Sequence, residues 1–549
     1  MNRLKNIFDD KFVGFYLSLK ITKSILILVI IIVIGAFLRL YDFNDLLRFN
    51  NDQVRDAQII DAMHSGENFP LFGPKAGGTK FNLGGAFYYL EYLSGAIFGF
   101  SPAGIAFFIP LLSIASIYLF YLLFKKIFSI NITLGLTFLY AISFYAIKYS
   151  HFAWNPNVIP FFILAFLLLL SRIVSQSNQD AINRASTYLD FIFLGIIIGI
   201  SAQLHTTLLI LMPLMTLLTI LYAYFKKINI SLKNIFLLIF FFILINIPFV
   251  YGNFLDHGEN LREFLAGTST KTGASLSIVK NTAADIKFFL QGSSYYLTGI
   301  EPQKNWSNVI KLIKSHNLTE LSLFVFSLII FFGGIYLLFS KKTQANRRTI
   351  ANDTILILST FTLLAFLFFL LIGNELNLRF FIILSFLPYL FLGAISQYLS
   401  EKINSLQIKA ILFLSVLAIL IFSNLNMFTK TYNLNNYRAP QSAYGGISLG
   451  ELNELCLKMD NALKSKPGAS QTAFIDSFEF KRSLTYVCAK TNLALEEFSS
   501  GELIGAQLFF VIVENENIEK NIQKYTNSFK LENSQKIKRF TLLTFKSIQ

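Results

Sequence analysis

Long apolar runs alternate with short polar segments along the first 425 residues of the chain. Several of the runs reach about 18 residues, the length at which an apolar helix crosses the hydrocarbon layer of a membrane. The pattern therefore predicts an all-α polytopic membrane protein with about eleven spanning helices. The predicted spans are 24–40, 103–124, 132–147, 158–170, 188–202, a run that ends at Lys226, 235–250, 321–339, 354–372, a run that ends at Lys402, and 411–425.

Two stretches between the predicted spans are long enough to form large outer loops. The first covers 41–101 and ends in an aromatic segment, 83–100, which also contains several glycines and Glu91. This mixture favours helices that lie in the membrane interface over an additional span. The second large outer loop covers 251–317.

Lysine and arginine residues follow alternate spans, and such connections face the cytoplasm by the positive-inside rule. Basic residues also precede the first span, so we expect the N-terminus inside and, after an odd number of spans, the C-terminus outside. The first apolar run lacks a small-residue cleavage site and is long enough to span. It therefore indicates a retained helix rather than a signal peptide.

The composition changes near residue 426. From there to residue 549, short strand-like runs alternate with helix-like ones, and charged residues become frequent. We expect a small soluble α/β domain, 426–549, outside the membrane and a transmembrane domain over 1–425. Cys456 and Cys488 either form a disulfide in the outer domain or remain buried thiols, and they are too few for a thiolate metal site.

The bulk composition supports a membrane protein and argues against a nucleic-acid-binding one. The chain has 549 residues, of which 54% are hydrophobic and 14% are charged, and its mean hydropathy is +0.55. A soluble protein would carry about a quarter charged residues. The net charge of +15 comes from basic residues at the ends of apolar runs, so it reflects membrane orientation.

Charged and polar candidates for chemistry gather at one level, the outer ends of the predicted spans. A transport path would place ionisable groups at mid-depth, whereas the outer interface suits chemistry on a lipid headgroup. Glycosyl transfer from a lipid phosphate needs a base for the acceptor hydroxyl, cations for the departing phosphate and an apolar groove. The candidates at this level are Asp52, Arg55, Asp56, Asp61, Lys80, Lys148, His151, His205, Glu375 and Arg379.

Several stretches together resemble the bacterial C-fold (GT-C) glycosyltransferases, the relatives of protein O-mannosyltransferases and of the aminoarabinose lipid A transferase, in the manner of glycosyltransferase family 39. The resemblance covers roughly residues 25–400, and it is the combination of pieces that makes it specific. The stretches are 51–58 (NDQVRDAQ), 69–74 (FPLFGP), Gly77-Gly78, 83–90 (LGGAFYYL), 149–160 (YSHFAWNPNVIP) and 199–206 (GISAQLHT).

The resemblance implies an inverting glycosyltransferase that takes a sugar from a polyprenyl-phosphate donor on the outer face of a bacterial cytoplasmic membrane. It implies that Asp52 is the general base. Gln53 stands where the family often has Glu, so Asp56 is expected to compensate as a second catalytic carboxylate. Three cations are expected to bind the donor phosphate: Arg55, Lys80 and Arg379. The expected substrate pocket contains Tyr88, Trp154, Asn155, Gln203, His205 and Glu375.

Each of these candidates also has a structural interpretation. Asp52 could cap an interfacial helix, and Arg55 with Asp56 could be an ion pair that holds the loop. Lys80 could extend to lipid headgroups, as long basic side chains do near an interface. The remaining alternatives are an aromatic-belt anchor for Trp154, a packing role for His205, and an i,i+4 pair of Glu375 with Arg379.

No metal motif is predicted, because the five histidines are scattered and no His or Cys pair has ligand spacing. A divalent cation held by Asp52, Asp56 and a phosphate is left open. The acceptor is a glycan, a lipid or a protein. Two other classes of function compete with a transferase, namely a transporter or flippase of a lipid-linked saccharide and a non-catalytic membrane scaffold.

Overall fold

The apolar runs form a bundle of helices, and a mixed sheet follows near the C-terminus. The computed structural model describes residues 23–77, 79–175, 183–273, 278–301, 318–340, 349–372, 376–432, 446–465, 472–476, 479–497, 508–515, 518–526 and 529–547.

The described residues of the first half of the chain form twelve α-helices and a two-stranded hairpin. In chain order they are α1 (Lys23–Leu40), α2 (Phe43–Leu46), α3 (Asn51–His64), β1 (Phe72–Lys75), β2 (Asn82–Gly84), α4 (Ala86–Phe98), α5 (Pro102–Ala106), α6 (Phe108–Phe124), α7 (Ile130–Ala141), α8 (Phe144–Ser150), α9 (Ile159–Ser175), α10 (Asn183–Leu204), α11 (Thr206–Phe225) and α12 (Leu232–Leu255).

The second half continues the bundle and then forms the sheet. Its elements are α13 (Glu259–Gly273), α14 (Ile278–Thr298), α15 (Leu318–Phe339), α16 (Thr349–Leu370), a 3-10 segment (Leu378–Leu384), α17 (Leu387–Lys402), α18 (Leu406–Thr431), α19 (Leu449–Lys464), β3 (Thr472–Ile475), α20 (Lys481–Ala489), β4 (Ala494–Glu497), β5 (Leu508–Glu514), α21 (Ile518–Tyr525), β6 (Phe529–Ile537) and β7 (Phe540–Ser547).

Within the described ranges, 8 helices are long and apolar enough to cross a membrane, and up to 10 if each of two bent pairs is one span. The C-terminal part of α10, Tyr188–Leu204, is a shorter apolar helix. Every predicted span falls on one of these helices, so the expectation of a multi-pass helical membrane protein is confirmed. Helix α4 has 13 residues and is too short to cross about 30 Å of hydrocarbon.

The stretch 251–317, predicted as a loop, contains the helices α13 and α14. Helix α14 is too polar to read as a span, but its C-terminal half is deeply buried. Phe288 and Phe289 pack there against Phe381 of the 3-10 segment. Tertiary packing of this half, rather than hydrophobicity alone, accounts for a helix that the apolar pattern did not indicate.

A buried arginine holds the bend between α7 and α8, which meet at 45°. Arg39 is fully buried, and its guanidinium donates to the carbonyl of Ala141 at the end of α7 and to the Ser113 hydroxyl at 2.8 Å. The last carbonyls of a helix lack partners within the helix. Arg39 therefore satisfies the carbonyl that the bend exposes, and α8 can lead the chain to the corner at Trp154.

The C-terminal sheet has the strand order β4-β3-β5-β7-β6. Strand β3 runs parallel to β4 and β5, whereas β7 pairs antiparallel with β5 and β6. Alternate residues of β5 enter different cores: Phe510 packs with residues of α19 and α20, and Phe509 packs with Tyr525 of α21. Helices thus cover both faces of the central strand, as expected for an α/β unit.

A disulfide joins Cys456 of α19 to Cys488 of α20, which decides between the two states that the sequence left open. Both residues are buried, and they are separated by 32 positions in the chain. The predicted division of the chain at residue 425 stays a prediction.

The described residues between 446 and 547 are called the C-terminal unit below. We expect the double change Cys456→Ser and Cys488→Ser to lower the free energy of unfolding of the C-terminal unit by about 3 to 4 kcal/mol, because a disulfide closing a loop of this length restricts the unfolded chain. Limited proteolysis across a temperature series would measure the loss. Thiols that react with a maleimide in the folded, unreduced protein would contradict the disulfide.

Candidate active site

The first turn of α3 is fixed by its own side chains. The N–H of Asn50 donates to Oε1 of Gln53 at 3.1 Å, which is the return bond of a capping box. The side-chain amide of Gln53 also donates to the carbonyl of Ala153 at 2.8 Å. Asn50 and Gln53 therefore fill the capping role considered for Asp52, and Gln53 ties this turn to the corner beside Trp154.

The C-terminal unit holds the same helix from another side. Asn50 accepts a hydrogen bond from the N–H of Ile447 at 3.0 Å through its side-chain oxygen. Further along α3, Asp61 accepts from the Tyr486 hydroxyl and forms an ion pair with Lys490, both at 2.8 Å. Contacts at both ends of α3 thus set its position against the bundle.

Asp52 and Asp56 share one arginine. Arg55 lies 3.2 Å from Asp52 and 2.7 Å from Asp56, measured between guanidinium nitrogen and carboxylate oxygen. The side chain of Asp52 is 56% exposed, whereas that of Asp56 is 2% exposed. Burial raises the pKa of Asp56 to about 6, although the nearby Arg55 acts in the opposite direction. Only Asp52 of the two carboxylates is therefore open to a substrate.

Tyr88 lies behind the ion triad formed by Asp52, Arg55 and Asp56. It is 3% exposed, and Asp56 and Arg55 are the charged groups that act on its hydroxyl most strongly. Burial and the neighbouring Asp56 raise the pKa of Tyr88, so the hydroxyl stays protonated as a donor. Tyr88 supports the triad from α4.

The corner after α8 brings Trp154 and Arg379 together. The guanidinium carbon of Arg379 lies 5.1 Å from the Trp154 ring centroid and 5.3 Å from that of Phe380. Asn155 donates to the carbonyl of Leu204 at 2.6 Å and so fixes the corner to the end of α10. The geometry makes these contacts cation–π interactions, which hold a charged group without neutralising it.

Arg379 forms no ion pair with any residue that the structure describes, and its Nε has no hydrogen-bond partner among them. Glu375, predicted to line the substrate pocket or alternatively to pair with Arg379, lies outside the described residues. An arginine held by two aromatic rings keeps its N–H edges available for an anion.

His205 and Gln203 occupy the break between α10 and α11. Nδ1 of His205 accepts from the N–H of Thr207 at 3.2 Å and caps α11. Oε1 of Gln203 accepts from the N–H of Ala86 at 3.1 Å, and its amide nitrogen donates to the carbonyl of Ile245 at 3.0 Å. Gln203 therefore connects α4, α10 and α12, and it acts as a brace behind the site.

A cavity of about 400 Å³ opens between these elements. One part of its wall is polar and carries Asp52, Arg55, Lys75, Asn155, His205 and Arg379. The rest is apolar and aromatic, with Phe81, Trp154, Ile210, Phe264, Phe368, Leu371, Phe380 and Ile383. Clefts of this kind, mostly apolar with a few convergent polar groups, bind small molecules and cofactors.

The structure brings six of the predicted site residues to this cavity: Asp52, Arg55, Trp154, Asn155, His205 and Arg379. Asp56, Tyr88 and Gln203 lie behind its wall. Lys80 is exposed and does not line it. Lys75, which ends β1 and pairs with Asn82 of β2, lines the cavity and was missed by the sequence analysis. Lys75 could have been recognised in the sequence by its position directly after the FPLFGP stretch.

The open possibility of a divalent cation does not fit these residues. Oδ1 of Asp56 already accepts from Arg55, and the carboxyl is closed off from the cavity. Across the described ranges, no group of three or more His, Cys, Asp or Glu side chains could hold a metal ion. A cation would have to displace Arg55 from Asp56, so no step below uses one.

No family profile and no curated protein sequence matches the chain. Solved structures do match. ArnT from Cupriavidus metallidurans, bound to undecaprenyl phosphate, has a TM-score of 0.51 and 10% identity over 95% of this chain and 97% of that one. The oligosaccharyltransferase of Archaeoglobus fulgidus has a TM-score of 0.48 and 14% identity over 85% of this chain. Our chain spans 62% of that longer protein.

These structural neighbours are GT-C glycosyltransferases. The chain has the GT-C fold. Its match to ArnT extends over nearly the full length of both chains, which includes the C-terminal unit. The GT-C fold that the sequence resemblance implied is therefore confirmed, whereas the roles of individual residues stay predictions.

We expect Gln53→Met to lower the free energy of unfolding by about 1 to 3 kcal/mol, because it leaves the buried Ala153 carbonyl and the Asn50 N–H without partners. Thermal unfolding in detergent would measure it. Gln58→Met is the matched control, since Gln58 is exposed on the same helix and its side chain accepts a hydrogen bond from the exposed Arg482. Equal losses in the two variants would contradict the bracing role of Gln53.

Proposed function

We propose that the protein is a membrane glycosyltransferase that transfers a sugar from a polyprenyl-phosphate donor to an acceptor hydroxyl. The observation that carries the proposal is the cavity itself. It combines an accessible carboxylate, Asp52, with an arginine that lacks a described counter-ion, Arg379, beside an apolar slot. The likeness to ArnT, which was solved with undecaprenyl phosphate, supports a lipid-linked donor.

Asp52 is the general base of the proposed reaction. The acceptor oxygen attacks the anomeric carbon from the side opposite the phosphate, and the bond between that carbon and the phosphate oxygen breaks. The hydroxyl proton passes to Asp52, and the bonding electrons leave with the phosphate. Arg55, at 3.2 Å, holds the carboxylate in place during the transfer.

Arg379 and Lys75 stabilise the departing phosphate, whose negative charge grows as the bond breaks. The planar guanidinium of Arg379 suits two parallel hydrogen bonds to phosphate oxygens. Trp154 and Phe380 fix its plane by cation–π contact. Lys75 reaches the cavity from β1 as a more mobile point charge.

The polyprenyl chain occupies the apolar side of the cavity. Phe264 of α13 and Phe368 of α16 line that side. Phe81 lies 4.9 Å from Phe264 between ring centroids and closes the wall next to the hairpin. An apolar lining of this kind holds a hydrocarbon chain through burial of its surface.

We also propose in which membrane the protein lies and which side its site faces. Basic connections on the side opposite the cavity indicate that the site faces outward from a bacterial cytoplasmic membrane, with the N-terminus inside. Lys125, Lys126 and Lys226 follow spans at that opposite end. The acceptor, whether glycan, lipid or protein, then approaches from the outer face.

We expect Asp52→Asn to lower kcat by about 10²- to 10⁴-fold, since an amide cannot take the acceptor proton. Transfer of radiolabelled sugar from polyprenyl phosphate by purified protein in detergent would measure it, and flipping alone gives no product in that assay. Glu67→Gln, at an exposed carboxylate in the same loop, is the matched control. Undiminished turnover of the Asp52 variant would overturn the proposed base.

We expect Arg379→Gln to weaken the binding of polyprenyl phosphate by about 10- to 100-fold, which corresponds to the loss of charge-assisted hydrogen bonds. Titration of the lipid phosphate against purified protein would measure the change. Arg262→Gln removes an exposed arginine that bonds to the carbonyl of His257, and it should leave binding unchanged. Equal affinity of the Arg379 variant and the wild type would rule out this phosphate site.

A further inference from the structure

A third carboxyl group lies behind the ion triad, and the proposed reaction does not use it. Glu91 of α4 is 1% exposed, as is Asp56 of α3. Glu91 is close enough to Asp56 and Arg55 to interact with their charges, and Tyr88 stands one turn before it on the same helix. Asp56, Tyr88 and Glu91 are thus enclosed where α3 packs on α4, and Arg55 lies between them and the cavity.

The charges of this cluster do not balance if every carboxyl is ionised. Among the described residues, Arg55 is the cation that acts on Glu91, and it already pairs with Asp52 and Asp56. Oε2 of Glu91 is buried and has no hydrogen-bond partner among the described residues. A buried anion without a cation or a donor costs several kcal/mol. An ionised Glu91 is therefore the unfavourable state of the cluster.

Among the side chains that the structure describes, the other elements packed on α4 supply no counter-charge to Glu91. Helix α5 has no titratable side chain, and α6 has only Tyr118 and Tyr121. Lys75 of β1 opens to the cavity. Asp190 of α10 pairs with Arg172 at 3.1 Å. The titratable groups that act on Glu91 are accordingly Arg55 and Asp56, with Tyr88 on its own helix.

The pKa of Glu91 agrees with this balance of charges. Burial, and then the charge of Asp56, raise the pKa of Glu91 well above its ordinary value, and Arg55 offsets only part of this effect. Two carboxyl groups in one low-dielectric site generally cannot both ionise, so one of them retains a proton. Asp56 holds the direct contacts with Arg55, which leaves the proton on Glu91.

We propose that Glu91 is a protonated positioning residue, which keeps Arg55 shared between the buried Asp56 and the cavity-facing Asp52. With Glu91 neutral, Asp56 is the single buried anion, and Arg55 can still reach Asp52. Loss of the Glu91 proton places a second anion beside Asp56 and draws Arg55 inward. Asp52 then loses the cation that fixes it. The catalytic consequence rests on the proposed function, whereas the protonation state does not.

Infrared spectroscopy tests the protonation state without any assay of activity. The difference spectrum between wild type and Glu91→Gln at neutral pH should contain the carbonyl stretch of a protonated carboxylic acid, lost in the variant. Glu451→Gln is the control, because Glu451 is equally buried but forms an ion pair with Arg539 at 2.9 Å. Loss of only carboxylate bands in the Glu91 variant would overturn the proposal.

The pH dependence of stability gives a second readout. A carboxyl whose pKa is raised in the folded state binds more protons there than in the unfolded chain. The free energy of unfolding of the wild type should therefore fall as the pH rises from about 4.5, the ordinary pKa, towards the raised value in the folded protein. Glu91→Gln should remove this part of the slope. Superimposable curves for the two proteins would contradict a neutral Glu91.

The pH dependence of sugar transfer distinguishes a positioning role of Glu91 from a purely structural one, because a purely structural role would not change it. Glu91→Gln keeps a neutral side chain of the same shape, so its kcat at neutral pH should stay within about tenfold of the wild type. On the alkaline side, the wild type should lose activity at a lower pH than the variant. A large loss of kcat at neutral pH, or identical alkaline limbs, would overturn the positioning role. If no transfer occurs in either protein, the proposed function fails, and the infrared result still decides the state of Glu91.

Discussion

The first turn of α3 is the constraint on which the site depends. Asn50 and Gln53 close it as a capping box, and the same two side chains then reach outward. Gln53 bonds to the corner at Ala153, and Asn50 bonds to Ile447 of the C-terminal unit. Because backbone direction fixes where side chains point, these bonds determine where Asp52 and Arg55 meet the cavity. The C-terminal unit is thus part of the framework of the site, in addition to any contact it makes with an acceptor.

Breaks between helices supply the other groups of the site. A helix that ends inside a protein leaves carbonyls and N–H groups unsatisfied, and polar side chains must meet them. Arg39 does this at the end of α7, His205 at the start of α11 and Asn155 at the end of α10. Trp154 and the 3-10 segment that carries Arg379 also lie where helices of the bundle are interrupted. The bundle therefore concentrates polar residues at the level of the cavity, between helices whose lipid-facing sides are apolar.

The membrane made the fold predictable from the sequence, because each span must satisfy its backbone internally and present about 20 apolar residues to lipid. The bends, α13 and α14 did not follow from hydrophobicity, since they depend on tertiary contacts such as those of Arg39 and Phe381. Of the residues that line the cavity, sequence reasoning named Asp52 and Arg379 but not Lys75, and it named Lys80, which does not line the cavity. The register of a short hairpin, which decides between those lysines, is not encoded in local composition.

A structure of the protein with polyprenyl phosphate bound would test the account most directly. The account predicts that the phosphate contacts the guanidinium of Arg379 above Trp154, that the lipid chain lies along Phe264 and Phe368, and that Asp52 faces the open side of the phosphate. A phosphate bound outside this cavity, or an Asp52 carboxylate turned away from a phosphate inside it, would contradict the account.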